Sequence, residues 1–230
     1  MPNWVYNDVT ISGYKDDVLL AKAQLATPYT VKQHVWSDPK LPQVDVLIEI
    51  PFALWNIISP DKSILDQYFS LKPAESEPEN HWYPWNVNHW GCKWDVSDVE
   101  VVSETEDVFE NSYAISYRFS TPWSPPLDAI YKLSEQYPEL LVEISYEEEN
   151  GWGGSQSIRD GQVLFETEYD SPNSHADYEQ RGQECVCEWQ DTEDWFKDCP
   201  ADPEEWEWID DENERSWGNW RLKQKDTSVQ

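Results

Sequence analysis

The chain has 230 residues, and its 46 Asp and Glu against 16 Lys and Arg give a formal net charge of −30 at pH 7. This charge argues against binding a phosphate backbone or an anionic membrane over a broad surface, since both kinds of binding depend on Lys and Arg. Fifteen Trp and twelve Tyr separate the sequence from acidic disordered chains, which are poor in aromatic residues, so we expect the chain to fold.

The first third of the chain alternates between strand and helix patterns. Residues 4–12 alternate with period two and predict a strand, and the spacing of apolar residues over 15–25 predicts a helix. The run 44–51 predicts a second strand, and Ser59-Pro60-Asp61 predicts an N-cap and the start of a short helix. Residues 72–80 are rich in Pro and Glu and predict an exposed linker.

The middle of the chain is more regular. Residues 96–102 and 112–120 predict two strands joined by an acidic turn, and Ser124-Pro125-Pro126 predicts a helix start. A strand is expected over 140–146. Two further strands are expected on either side of Asp160-Gly161, because Asp-Gly between apolar runs favours a hairpin.

The order strand, helix, strand, strand, helix, strand predicts an α+β fold, a ferredoxin-like βαββαβ sandwich with its helices on one sheet face. In this interpretation residues 27–80 form an insertion after the first helix. The predicted domain covers residues 1–170, and residues 171–230 form an acidic, Trp-rich extension packed on or beside it.

The extension is the most acidic part of the sequence. Residues 171–217 carry 16 acidic and 3 basic side chains, a net charge of −13, together with five Trp. Asp202-Pro203-Glu204-Glu205 combines an N-cap, Pro at the first helical position and acid in the first turn, so we expect a short helix carrying Trp206 and Ile209.

Three segments of the sequence occur together in a known family. They are Met-Pro-Asn-Trp-Val-Tyr-Asn-Asp-Val-Thr-Ile-Ser-Gly at 1–13, Asn-His-Trp-Gly-Cys-Lys-Trp-Asp at 88–95, and Phe-Ser-Thr-Pro-Trp-Ser-Pro-Pro at 119–126. As a set they resemble a family of small phage- and plasmid-encoded proteins with a ferredoxin-like domain and no established activity. The resemblance covers residues 1–26 and 86–168. It departs at His89 and Cys92, where the family usually has Asn and Thr.

The resemblance implies a ferredoxin-like fold and a mobile-element origin, and it transfers no catalytic residue. We expect a cytoplasmic protein, in the host cytoplasm if the chain is phage-encoded. The sequence starts without a basic or apolar leader, and four Cys are too few and too irregularly spaced for a secreted disulfide framework.

Tryptophans in the family-like segments are candidates for an aromatic platform that binds a base, a peptide or a small ligand. The alternative is that these rings close the end of the sandwich, with Lys93 passing beside them. The candidate residues are Trp4, Trp90, Trp94 and Trp123.

A metal site is a weak alternative. Cys185, Cys187, Cys199 and His175 could supply four zinc ligands, but Cys-x-Cys with a distant third thiol lacks the paired spacing of structural zinc sites. We therefore expect neither metal nor cofactor.

No catalytic motif is recognisable. The sequence contains no nucleophile elbow, phosphate loop, dinucleotide-binding glycine pattern or His-Glu-x-x-His helix. Among so many carboxylates, a pair suited to acid–base work carries no weight. We expect a protein that is not an enzyme.

The acidic extension is the sharpest functional candidate, since carboxylates held in place by Trp can imitate the phosphates of a duplex and occupy a basic groove. The alternative is a solvated acidic face. The candidate residues for binding a basic protein, such as a nucleic-acid-binding host factor, are Glu204, Glu205, Glu207, Asp210, Asp211 and Glu212.

The sequence thus leads to one main hypothesis and two alternatives. The main one is a non-catalytic accessory protein that binds a basic protein surface, as a nucleic-acid mimic inhibiting a host or defence factor. The alternatives are a module that binds a small molecule or single-stranded nucleic acid through exposed aromatics, and a virion or structural component. Direct binding to duplex nucleic acid or to a membrane is not expected, and the oligomeric state stays open.

Overall fold

The computed structural model describes residues 3–33, 44–61, 64, 82–171 and 182, and the backbone of residues 206–209 and 219–222. The chain forms two compact units, residues 1–169 and residues 170–230. In the described part of the chain, no helix is long and apolar enough to cross a membrane.

The elements follow one another in the order β1 (Trp4–Tyr14), α1 (Lys15–Leu25), β2 (Tyr29–Gln33), β3 (Val44–Ile48), a 3-10 turn (Leu54–Asn56), α2 (Trp82–Trp90), β4 (Ser97–Asp107), β5 (Ser112–Pro122), α3 (Leu127–Gln136), β6 (Leu141–Glu148), β7 (Gly153–Arg159), β8 (Gln162–Tyr169), β9 (Trp206–Ile209) and β10 (Asn219–Leu222).

A six-stranded sheet organises the first unit. Its strand order is β4-β5-β1-β6-β7-β8, and every neighbouring pair is antiparallel. β1 is an interior strand of this sheet, and its residues alternate between a buried and an exposed face. Val5, Val9 and Ile11 are fully buried, whereas Tyr6 and Asp8 are exposed. Side chains alternate between the two faces of a strand, so the sequence pattern itself sets a core face and a solvent face.

Two helices cover the core face. α1 packs against β1 and β5, and α3 packs against β6 and β7. α1 buries Val18, Ala21 and Leu25, and α3 buries Ile130 and Leu133. Each large side chain removed from water in this way stabilises the fold by about 1.5–3 kcal/mol. The face of the sheet opposite the helices is called the open face below.

Several predicted elements are present. The strand at residue 4, the helices at 15–25 and 127–136 and the strand at 44 match their predictions. The Asp160-Gly161 hairpin is confirmed as well, with β7 and β8 paired and φ values of 50° and 68° at its two turn residues. Positive φ at both positions is the geometry for which Asp-Gly is favoured in hairpins.

The acidic turn predicted after residue 102 is partly wrong, because β4 continues to Asp107. Lys22 Nζ lies 2.6 Å from Glu104 Oε2, and Lys15 Nζ lies 2.6 Å from Glu106 Oε1. The two Lys of α1 therefore hold the acidic end of β4 against the helix. The local sequence of β4 gives no sign of these ion pairs, because their partners lie more than 80 residues away.

Helix α2 was not predicted. Its buried positions are Asn86 and Trp90, one turn apart, so a polar residue interrupts the apolar stripe that marks a helix. The short helix predicted to carry Trp206 and Ile209 is wrong: these residues form β9, which pairs antiparallel with β10. The alternation Trp-Glu-Trp-Ile fits a strand and outweighs the helix-start signal that precedes it.

Candidate functional site

Two rows of residues run across the open face at right angles to the strands. Tyr6 is paired with Glu147, Glu147 with Gly153, and Gly153 with Tyr169. The adjacent row on the same face consists of Asp8, Ser145, Ser155 and Thr167. Directly paired residues on neighbouring strands share a face, so each row is a line of adjacent side chains.

Between these rows lies an open groove of about 400 Å³, called the sheet groove below. Tyr6 on β1 and Tyr169 on β8 both line the groove and are exposed by 52% and 41%. The Tyr169 hydroxyl donates a hydrogen bond to Glu147 Oε2 at 3.1 Å, which holds the carboxylate inside the groove. The lining residues are Tyr6, Asp8, Ser145, Tyr146, Glu147, Gly154, Ser155, Thr167 and Tyr169.

Glycine is required at one point of this groove. A Cβ on Gly153 would lie 2.6 Å from the Tyr169 hydroxyl and 2.2 Å from the Tyr146 carbonyl oxygen. The missing side chain lets the Tyr169 ring reach over the strand towards Glu147. The Tyr169 ring therefore occupies the space that a side chain on Gly153 would need.

The open face is negatively charged. It carries Glu100 and Glu143 in addition to the two carboxylates of the sheet groove. Arg118 lies on the same face, with Nε 3.0 Å from Asp8 Oδ1 and Nη1 3.9 Å from Glu100 Oε1. Arg159 follows at the end of β7. Carboxylates thus outnumber arginines, and Arg118 already binds two of them.

A second candidate surface surrounds Lys93. Its ammonium lies 3.9 Å from the ring centre of Trp123, 5.1 Å from that of Trp94 and 5.5 Å from that of Tyr83. We call these four residues the Lys93 cluster. No carboxylate lies within 4 Å of this ammonium among the residues that the structure describes, so the rings are its partners there. Such cation–π contacts stabilise by about 0.5–1 kcal/mol each at exposed sites.

The predicted aromatic platform divides into two parts. Trp94 and Trp123 belong to the Lys93 cluster, and Trp4 packs edge-on against Trp94 with ring centres 6.1 Å apart. Trp123 is 45% exposed and adopts φ 71°, a left-handed conformation that is unusual for a bulky residue. The Trp123 backbone N–H donates to the Asn3 carbonyl at 2.9 Å, which ties this conformation to the start of β1.

Trp90 was wrongly included in the platform. It is fully buried, and its Nε1 donates a hydrogen bond to the Ile58 carbonyl at 2.9 Å. Its ring faces the edge of Trp85 at 5.6 Å. Its place one turn after Asn86 on the inner side of α2 removes it from any ligand surface.

A chain of buried hydrogen bonds joins the three family-like segments. Asn7 Nδ2 donates to Thr121 Oγ1 at 3.0 Å, Thr121 Oγ1 donates to the Ser124 carbonyl at 2.8 Å, and Ser124 Oγ donates to the Gly91 carbonyl at 2.6 Å. Gly91 has φ 84°, and a Cβ there would lie 3.2 Å from the Leu127 nitrogen at the start of α3. These motif residues therefore connect β1, β5 and the turn before β4.

Asp95 joins β2 and the 3-10 turn to the residues that precede β4. Its Oδ1 accepts hydrogen bonds from the Leu54 and Val96 backbone N–H groups at 2.8 Å each, and its Oδ2 accepts from the Trp55 N–H and the Tyr29 hydroxyl at 3.1 Å each. The residue as a whole is only half-buried, but its carboxylate is enclosed by these donors. Burial raises the pKa of Asp95, and the hydrogen bonds partly oppose that rise.

The Cys92 thiol is a packing group. It is buried, it donates a hydrogen bond to the Trp94 carbonyl at 3.3 Å, and burial raises its pKa well above the ordinary value. A thiol held neutral in this way is a poor nucleophile and a poor metal ligand.

Other predicted site residues lie outside the described residues. These are the four metal candidates Cys185, Cys187, Cys199 and His175, and five acidic candidates, Glu204, Glu205, Asp210, Asp211 and Glu212. Glu207 lies in β9 and is paired in register with Arg221 of β10. Within the described part of the chain, no group of three or more His, Cys, Asp or Glu could hold a metal ion.

The comparisons with known proteins support the fold. Residues 90–193 match the family model described as the ferredoxin-like domain in Api92-like protein. That match confirms an α+β, ferredoxin-like domain of unknown function. The crystal structure of a protein api92 from Yersinia pseudotuberculosis superimposes with a TM-score of 0.50 at 11% identity, covering 74% of this chain and 99% of that one. At this sequence identity the structural match supports the fold only. No curated protein matches.

Sequence reasoning missed the sheet groove. Its end residues Tyr6 and Tyr169 are 163 positions apart, and nothing in the local pattern of either strand relates them. The available signal was that Tyr6, Glu147 and Tyr169 occupy solvent-side positions of predicted strands. Which of these positions become neighbours depends on strand order and register.

Proposed function

We propose that this protein is a non-catalytic binding protein whose acidic open face engages a basic macromolecular partner, in the first instance a protein. The observation that supports this proposal is the sheet groove. Two carboxylates lie in a groove bounded by exposed tyrosines, on a sheet face where carboxylates outnumber arginines. A protein partner that presents Lys and Arg fits such a face in charge and in shape.

The distribution of charge supports the same proposal. Residues 1–170 contain 29 acidic and 10 basic side chains, so the negative charge is not confined to the extension. Lys15, Lys22, Arg118 and Lys132 each lie within 4 Å of a carboxylate of the chain itself. The surplus carboxylates therefore create a negative field that steers a basic partner towards the protein and is screened by salt.

We further propose an accessory role of the kind found in mobile-element proteins, in which the acidic surface occupies the nucleic-acid site of a host or defence factor. The resemblance of the three motif segments to phage- and plasmid-encoded proteins motivates this proposal. It predicts that duplex DNA competes with this protein for the partner. A partner that binds both at once would refute mimicry while leaving protein binding intact.

A pull-down from host lysate at increasing salt tests the binding function with two charge-neutralised variants. The sheet-face variant carries Asp8→Asn, Glu100→Gln and Glu147→Gln. The extension variant has the six predicted residues Glu204, Glu205, Glu207, Asp210, Asp211 and Glu212 changed to their amides. We expect a basic partner that is released by salt and is not retained by the sheet-face variant.

The two variants separate the outcomes. Loss of the partner only in the extension variant would move the site to residues 204–212 and overturn the assignment to the open face. Retention by both variants, or retention that does not weaken in high salt, would contradict binding through the acidic surfaces.

The Lys93 cluster supports a second candidate function, binding of a small planar ligand or single-stranded nucleic acid. The specific observation is the exposed ring of Trp123, which lies 3.9 Å from the Lys93 ammonium. The Trp123 backbone has φ 71°, in the left-handed region. Titration with mononucleotides and short oligonucleotides, followed by tryptophan fluorescence, tests it. This candidate requires a saturable change that is absent in Trp123→Ala. An unchanged titration in that variant would dismiss the cluster as a ligand site.

A further inference from the structure

The sheet groove is lined by tyrosine rings, hydroxyl groups and carboxylates, and this combination favours one kind of ligand. Tyr6, Glu147 and Tyr169 line it, and the Tyr169 ring lies over Gly153 with its hydroxyl at Glu147. Neighbouring strands are about 4.8 Å apart, so the Cα atoms of Tyr6 and Tyr169 are about 14 Å apart across three strand spacings. The Tyr169 side chain shortens the opening by reaching towards Glu147. The floor consists of the hydroxyl groups of Ser145, Ser155 and Thr167.

These groups match a guanidinium better than other cations. A guanidinium is planar, stacks on aromatic rings and donates two parallel hydrogen bonds to one carboxylate, whereas an ammonium is a point charge without a plane. The Tyr169 hydroxyl donates to Glu147 Oε2 and orients the carboxylate. The floor hydroxyls can accept the remaining donors. Phosphate and other anions are disfavoured by Asp8 and Glu147.

The open face already binds one guanidinium, that of Arg118. This side chain spans β5 to reach Asp8 on β1 and Glu100 on β4. Asp8 also lines the sheet groove, one row away from Glu147. The groove therefore has the same donor–acceptor chemistry one strand further along the sheet, with two aromatic rings added and no arginine of the described chain among its lining residues.

We infer that the sheet groove is a receptor for a single arginine side chain of the basic partner, with the guanidinium stacked on a tyrosine and paired with Glu147. This inference rests on the proposed function and names the group recognised. Arginine is thereby distinguished from lysine, which would satisfy the overall charge equally well.

The test uses acetyl-arginine amide as the probe and the full chain with labelled tyrosine rings, observed by NMR. Acetyl-lysine amide and the neutral isostere acetyl-citrulline amide serve as comparison probes. We expect saturable shifts of Tyr6 and Tyr169 with the arginine probe. Binding should be at least about tenfold weaker with the other two probes, because the lysine ammonium lacks the planar pair of donors and citrulline lacks the charge.

Glu147→Gln has a matched control in Glu143→Gln. Both residues lie on β6 and on the open face, and both changes remove one negative charge, but Glu143 is not among the groove residues. We expect Glu147→Gln and Tyr6→Ala to weaken arginine binding about tenfold or more, and Glu143→Gln to leave it within about twofold. Each variant is checked for folding by its unperturbed NMR resonances.

Failure of the inference is distinguishable from failure of the proposed function. If a basic partner is captured but Glu147→Gln and Glu143→Gln weaken it equally, and the arginine probe causes no saturable shift, the groove is not a receptor and general acidic binding stands. If the arginine probe binds but no basic partner depends on the open face, the groove inference stands and the proposed function falls. Equal binding of the arginine and lysine probes also overturns the inference.

Discussion

Asp95 is the residue whose replacement should affect the fold of the first unit most sharply. Asp95→Ala removes the acceptor of three backbone N–H groups and one tyrosine hydroxyl at 2.8–3.1 Å. At about 1 kcal/mol for each donor left without its partner, the expected loss is about 3–4 kcal/mol of the free energy of unfolding. This is a large share of the roughly 5–15 kcal/mol of a typical domain. Asp95→Asn keeps one acceptor oxygen and should lose about half as much.

The pH dependence of that loss has a definite sign. Burial raises the pKa of Asp95 above its ordinary value, so the folded state binds the proton more tightly than the unfolded state does. The contribution of this group to stability is therefore fully present below the unfolded pKa near 4. It is lost as the pH rises through the raised folded pKa. As the pH rises through the raised pKa of Asp95, the free energy of unfolding of the wild type should therefore decrease relative to that of Asp95→Asn.

Urea unfolding followed by tryptophan fluorescence between pH 3 and pH 8 measures both effects. The difference between the wild type and Asp95→Asn cancels the contribution of the other carboxylates, and Glu139→Gln, an exposed carboxyl, serves as the control. An increase of wild-type stability relative to Asp95→Asn with rising pH would refute the reasoning, because it would mean that the four hydrogen bonds outweigh desolvation. A loss below 1 kcal/mol in Asp95→Ala would contradict its anchoring role.

Three further changes test packing, backbone and cation–π contacts. Trp90→Phe leaves the Ile58 carbonyl without its hydrogen-bond donor and replaces a buried ring by a smaller one. Urea unfolding should show a free energy of unfolding lower by about 2–3 kcal/mol. A decrease below 1 kcal/mol would argue against the buried placement of Trp90. Gly91→Ala should lower the free energy of unfolding by about 2–4 kcal/mol, because Gly91 has φ 84° and close backbone neighbours. Gly161→Ala should lower it by only about 1–2 kcal/mol, because Gly161 has φ 68° but its close neighbour is the flexible Glu135 side chain. Equal decreases of the melting temperature in the two variants would contradict the packing argument. Lys93→Met should lower stability by about 1 kcal/mol and change tryptophan emission, and unchanged emission would show that the ammonium does not lie over the rings.

The family-like segments illustrate what local sequence can and cannot convey. Alternation in 4–12 was enough to predict β1 and its core face, because the period-two pattern is a local property of an extended chain. Asn7 breaks that pattern as a buried polar residue, and its reason lies in Thr121, which is 114 positions away. Sequence alone gave no means to separate the buried Trp90 from the exposed Trp123, since both lie in motifs of similar composition.

The candidate site was predictable in its chemistry but not in its place. The surplus of carboxylates pointed to a basic partner, and that expectation remains the proposal. Local charge density points instead to the extension, where acidic residues are most concentrated. The sheet groove collects Asp8 and Glu147 from distant strands, and neither stands out in a sequence with 46 acidic residues.

Local pattern and composition are sufficient to predict the α+β class, the strands and helices with clear periodicity, and the strongly negative charge, because each follows from backbone preferences or from residue counts. Which solvent-side residues become neighbours follows only from the folded sheet. Strand order placed β6, β7 and β8 beside β1, and the register aligned Tyr6, Glu147, Gly153 and Tyr169 in one row. A shift of one residue in any of these pairings would move a whole strand's side chains to the other face. The buried core fixes the register between β1 and β6, and the hairpin turns help to fix it between β6, β7 and β8.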